Sequence, residues 1–148
     1  MLKLLQRIVD GASAALLVAI TALAFYQVLA RYALGISTPW SEELLRLLFV
    51  WLILLGASRT AHMRIDMLEQ AVGRTSLRIL LIVQAVVAAA LLGLLIVHGL
   101  DLVDLTAYDR YTALPLSVQW LYWSMVVGSS LWLIFMLAEL TQKLRGQN

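Results

Sequence analysis

The feature that most constrains this chain is where its charges are missing. Runs without Asp, Glu, Lys or Arg occupy residues 11–30, 47–58, 79–100 and 111–138. A helix rising about 1.5 Å per residue needs about 20 apolar residues to cross ~30 Å of hydrocarbon. Three of the runs meet that length outright. The second has 12 residues, and extends to 44–61 when Arg46 and Arg59 lay their aliphatic stems along the helix and keep their charges at opposite boundaries. The expected fold is therefore an all-α integral membrane protein. One domain, residues 1–148, holds four transmembrane helices over about 8–30, 44–61, 77–99 and 117–140. Composition closes the soluble alternative: 62% of residues are hydrophobic and 14% charged, against roughly a quarter charged in soluble domains. A domain of this size still exposes about a third of its unfolded surface, so one core cannot hide that excess.

The first run has the flanks of a signal peptide, with Lys3 and Arg7 before it and Ala22-Leu23-Ala24 resembling a cleavage site. Its apolar stretch continues through Phe25, Val28 and Leu29, longer than a usual signal core, so a retained helix is expected. Orientation follows from Lys and Arg in the connecting segments. With the N-terminus inside, Lys3, Arg7, Arg59, Arg64, Arg74, Arg78, Lys143 and Arg145 are inner, and only Arg31, Arg46 and Arg110 are outer. Both termini are expected in the cytoplasm. Tyr26, Tyr32, Trp40, Tyr108, Tyr111, Trp120, Tyr122 and Trp123 gather at the outer side, and the inner segments have no Trp or Tyr. An interfacial anchor belt explains this; an outer surface for a partner is the alternative.

The segment Thr38-Pro39-Trp40-Ser41-Glu42-Glu43 reads as a helix start, with Thr38 as N-cap, Pro39 at the first helical position and carboxylates in the positive first turn. Glu42 and Glu43 lie four and three residues before Arg46, which predicts pairing along one face that continues through Phe49, Ile53, Gly56 and Thr60. This cluster anchors its own helix or docks a neighbouring membrane chain. After the second span, residues 62–78 place Ile65, Leu68 and Val72 at helical spacing, predicting a short amphipathic interfacial helix ended by Gly73. Thr75 or Ser76 is the expected cap of the third span and Ser117 that of the fourth.

Carriers of ions or charged solutes hold ionisable groups near the bilayer midplane, often at broken helices. Here the charges lie at or near span ends, with Asp10 and Glu139 toward the inner ends of the first and fourth. Bis-histidine haem ligation is also disfavoured. His62 and His98 fall at opposite boundaries, about 25–30 Å apart, whereas axial ligands must meet at one iron. No cysteine is present, which excludes thiolate metal sites and cysteine nucleophiles, and no motif assembles a nucleophile with a base. The net charge of +2 forms no basic stripe, so nucleic acid is not an expected partner. Thr21, Gln27, Gln84, Ser124, Ser129 and Ser130 accompany Ala85, Ala89, Gly93 and Gly128, which predicts close helix packing.

Arg31-Tyr32, Pro39-Trp40-Ser41-Glu42-Glu43-Leu44, Arg46, Phe49-Val50-Trp51 and Leu55-Gly56-Ala57 together resemble the small membrane subunit of TRAP (tripartite ATP-independent periplasmic) transporters, of DctQ type. His62-Met63-Arg64-Ile65-Asp66 is similar to that family's signature after the second span, and Leu114-Pro115, Trp120, Tyr122 and Gly128 to its third block. The chain departs where the family often has Pro, at Val126, and where a Gly commonly precedes the histidine, at Thr60-Ala61. The resemblance implies a bacterial or archaeal inner-membrane scaffold subunit that is not an enzyme. It implies a large elevator-type membrane subunit holding the substrate and sodium sites, and a periplasmic binding protein delivering an organic acid. The chain itself would need no cofactor. Arg31, Trp40, Glu42, Glu43 and Arg46 are the candidate partner-interface residues. A membrane anchor for a redox complex is the alternative function.

Overall fold

A computed structural model describes residues 2–59 and 74–146. These residues form four helices: α1 (Leu2–Tyr32), α2 (Pro39–Ala57), α3 (Arg74–Leu105) and α4 (Gln119–Gly146). Within α1, α3 and α4 lie three stretches long and apolar enough to cross a membrane: Leu2–Tyr32, Ile82–Leu105 and Gln119–Thr141. The expected amphipathic segment at 62–78, its Gly73 stop and His62 fall on or run into positions outside the described residues.

Local chemistry sets the helix ends. The last carbonyls of α1 are closed by Ala33 and Leu34 N–H on Leu29 O and by Ile36 N–H on Ala30 O. Gly35 makes that turn at φ +64°, a left-handed conformation open to glycine at no steric cost. Thr38 and Pro39 take the expected N-cap and first helical positions, but the Thr38 side chain makes no capping bond. Ser41 explains this: its N–H and Oγ both turn back to Thr38 O, at 3.1 and 2.7 Å, and its Oγ lies 2.9 Å from Thr38 Oγ1. Thr75 and Ser76 lie within α3, which is described from Arg74 onward. Ser117 sits two residues before α4, where its Oγ accepts the Gln119 N–H at 3.2 Å and donates to Asp109 O.

The helices pack in the order α1–α2–α4–α3, with α3 held by α4 alone among the substantial contacts. Arg31 to Glu42, Glu43 to Thr112–Leu114 and Gln119 to Val103 tie the C-terminal ends of α1 and α3 to the N-terminal starts of α2 and α4. The chain therefore runs up, down, up, down, with loops 33–38 and 106–118 at one end. The hydrophobic core sits toward the other end, where Val9 of α1, Leu55 of α2 and Phe135 of α4 cluster with Leu5, Trp51 and Leu131.

Large side chains do not dominate the interior. Among the described residues the most completely buried are Ser41, Ser58, Ser124, Ser129 and Ala30, because lipid is as apolar as leucine and close approach of backbones is what remains to be gained. A methyl group on Gly128 would stand 2.6 Å from Leu54 Cβ, and one on Gly99 2.9 Å from Val126 Cγ2. These are the tight crossings of α4 with α2 and α3. The expectation for Gly93 is corrected: a methyl group there would meet nothing within 4 Å. Only 6% of the apolar stretch of α1 is buried, and 17% and 22% of those in α3 and α4, so most apolar surface is left to lipid or a partner.

Candidate functional site at the loop end

The five residues singled out from the sequence all lie at the end that carries loops 33–38 and 106–118. The start of α2 is the hub. Toward α1, Arg31 Nη2 donates to Glu42 Oε1 at 2.6 Å, with both side chains more than half exposed. Beside this pair, Gln27 Nε2 donates to buried Ser41 Oγ at 3.0 Å, and Tyr26 and Trp40 meet with centroids 6.0 Å apart and planes tilted by 41°. Toward α4, Glu43 holds the second loop. Its carboxylate accepts the backbone N–H groups of Thr112, Ala113 and Leu114 at 3.1, 3.0 and 2.9 Å. Three consecutive donors on one carboxylate are charge-assisted and fix the loop in one conformation.

The expected pairing of Glu42 and Glu43 with Arg46 does not form. The carboxylates reach across to α1 and to the loop, leaving Arg46 exposed. Non-local acceptors and donors outcompete a pairing that local spacing alone would favour by only a few tenths of a kcal/mol. Arg46 instead acts on Tyr111. Burial pushes the Tyr111 phenol above its ordinary pKa, the Arg46 charge pulls it partly back, and Glu43 raises it further. The Tyr111 hydroxyl is occluded and unpartnered.

Several anchoring residues were missed from the sequence. Trp51 Nε1 donates to Trp120 O at 3.0 Å, pinning α2 to α4; an indole N–H inside an apolar run needs an acceptor, and that was the available signal. Gln119 Nε2 reaches Val103 O at 2.9 Å and ties α4 to α3. At the far end, Arg59 donates to both oxygens of Asp10, Nε to Oδ1 at 2.7 Å and Nη2 to Oδ2 at 3.1 Å, with its guanidinium 5.6 Å from the Phe135 ring centroid. Opposite charges at the same predicted depth pointed to that pair.

This arrangement braces helices and shapes a surface. Among the described residues no three His, Cys, Asp or Glu side chains gather in a metal-binding group, and His98 makes a 3.5 Å contact with exposed Asp101. Comparison with known proteins decides the family: residues 20–146 match the family described as Tripartite ATP-independent periplasmic transporters, DctQ component. The chain belongs to the DctQ family. The DctQ chain is also 26% identical over 151 residues to the sialic acid TRAP transporter small permease protein SiaQ of Vibrio cholerae serotype O1, covering 97% of this chain and 85% of that protein. It is a small permease component of a TRAP transporter, a multi-pass inner-membrane protein and not an enzyme. The redox-anchor alternative is thereby set aside.

Proposed function

We propose that the DctQ chain is the fixed scaffold of a secondary active transporter. It packs beside a large elevator-type permease that carries the substrate and the coupling sodium, and its loop end helps dock a periplasmic binding protein that delivers an organic acid. The observation that carries this reading is where the polar groups act. In α1, α3 and α4 the charges are confined to the end thirds of each helix, and the Glu42–Glu43 hub is spent on bracing rather than on a cavity at mid-depth. The relative's role in a sialic acid transporter fits an acidic solute.

The same reading makes α2 a fourth span. Its 19 residues reach about 28 Å at 1.5 Å per residue, with Trp40, Glu42 and Glu43 toward the headgroups and the Arg46 charge snorkelling back to them. With the excess of Lys and Arg inside, both termini face the cytoplasm and loops 33–38 and 106–118 face the periplasm. The transport chemistry, cofactor-free in this chain, belongs to the large partner.

Reconstitution tests the division of labour. Proteoliposomes holding this chain alone are expected to show no sodium-driven uptake. Uptake should appear when the large TRAP membrane subunit and the binding protein of the same organism are added, and this chain should co-purify with the large subunit in detergent. Sodium-driven uptake by the isolated chain would overturn the scaffold reading.

A further inference from the structure

The helix row leaves α3 at an edge, and one strip of its surface is built for more than lipid. The face toward α4 carries Leu92, Gly99 and Val103, all buried. Roughly a quarter turn round the helix, at 100° per residue, lie Gln84, Ala88, Leu91, Leu95 and His98. Their spacing is four, three, four and three, the alternation of a left-handed helix–helix seam. Leu91 is 57% exposed and Leu95 41%, and Gln84 and His98 are exposed as well.

Gln84 separates this strip from an ordinary lipid-facing surface. It is the one polar side chain between Ile79 and Val97, in an apolar stretch of mean hydropathy 2.3 that begins at Ile82, and Val83, Val86 and Val87 beside it are all exposed. Its amide presents two donors and an acceptor, and no hydrogen bond in the described structure uses them. Hydrocarbon satisfies none of these groups, so an amide at this depth favours a neighbour that does. A polar residue at one position of such a seam also specifies its register.

We infer that the strip from Gln84 to His98 docks one transmembrane helix of the large membrane subunit, and that this helix places a hydrogen-bonding side chain or a freed backbone carbonyl opposite Gln84. The inference rests on the scaffold reading and names the face of the chain that serves it. Packing at a shallow left-handed crossing seats the partner helix between Leu91 and Leu95, with the Gln84 amide as the buried polar contact. Gly93, which has open space around it, lies on another face and takes no part.

The chain's lack of cysteine makes single-site spin labelling clean. Leu91→Cys and Leu95→Cys would carry nitroxide labels, with Val18→Cys and Phe25→Cys on α1 as comparison sites. Each variant is reconstituted in liposomes alone and with the large TRAP membrane subunit. The labels at 91 and 95 are expected to lose mobility only when the large subunit is present, while those at 18 and 25 stay mobile. Gln84→Leu leaves insertion intact, because it makes the span more apolar, and is expected to weaken the complex roughly three- to thirty-fold; Gln84→Asn should retain part of the affinity. Labels at 91 and 95 that stay mobile in a complex that still co-purifies would overturn this inference and leave the scaffold reading standing. Immobilisation without the large subunit, relieved by dilution in lipid, would assign the seam to a second copy of this chain and overturn it as well. Failure of the two subunits to co-purify would overturn both.

Discussion

Glu43 shows how one side chain can organise a surface. A carboxylate on the second turn of α2 receives three successive N–H groups of the loop ahead of α4, so the loop's conformation is dictated from a different helix. Hydrogen bonds to a charged group are worth about 1.5–3 kcal/mol each when sheltered and less when exposed. Glu43→Ala is therefore expected to cost about 1–3 kcal/mol in detergent unfolding and to open residues 109–118 to protease. Unchanged proteolysis would show that the loop is held by its own Arg110–Ser117 bridge. Tyr111 makes a second residue-scale prediction. Its proton is held more tightly in the fold than in the unfolded chain, so the resulting stabilisation is present below the ordinary value of 10.0 and is lost as pH rises through the raised value. Tyr111→Phe should leave neutral-pH stability unchanged or slightly raised, since its hydroxyl has no partner, and should flatten the alkaline fall measured by thermal unfolding.

Between elements, glycine and ion pairs decide how closely helices approach. Gly128→Ala pushes a methyl group into Leu54 across the α2–α4 crossing and is expected to cost about 1–3 kcal/mol. Gly93→Ala enters open space and should be neutral or up to about 1 kcal/mol stabilising through helix propensity. Detergent unfolding of the two variants side by side checks the contrast. Asp10 and Arg59 join α1 to α2 at the opposite end, with side chains 53% and 27% exposed, so the pair is expected to contribute no more than about 1 kcal/mol. A double-mutant cycle over Asp10→Asn and Arg59→Gln would measure that coupling, and a value near zero would shift the weight at that end to the Val9–Leu55–Phe135 cluster.

For the whole molecule, the helices pack in the order α1–α2–α4–α3, with a small apolar cluster, Val9–Leu55–Phe135, toward one end. Such an arrangement leaves broad apolar sides open to lipid or a partner. Its orientation is testable with impermeant maleimide on intact cells. Leu34→Cys and Tyr108→Cys, 65% and 97% exposed in the two loops, should label from outside, and Lys3→Cys only after permeabilisation. The reverse pattern would invert the orientation drawn from Lys and Arg placement.

Much of this was legible in the residues themselves. Charge-free length marked the helical class, because hydrocarbon accepts only backbones that satisfy their own hydrogen bonds. The Pro39–Arg46 segment marked both a helix start and the family. Partner choice was not legible. Local spacing sent Glu42 and Glu43 to Arg46, and small-residue spacing sent Gly93 to a tight contact; the fold sent the carboxylates to Arg31 and Thr112–Leu114 and left Gly93 open. The sequence alone determined that these segments are apolar helices with polar ends, since that depends on composition along one helix. Only the tertiary structure decided the order α1–α2–α4–α3 and the partners of each charge. In a chain whose helices are apolar nearly all round, no single face is marked as interior, and the few closest backbone approaches settle which helices meet.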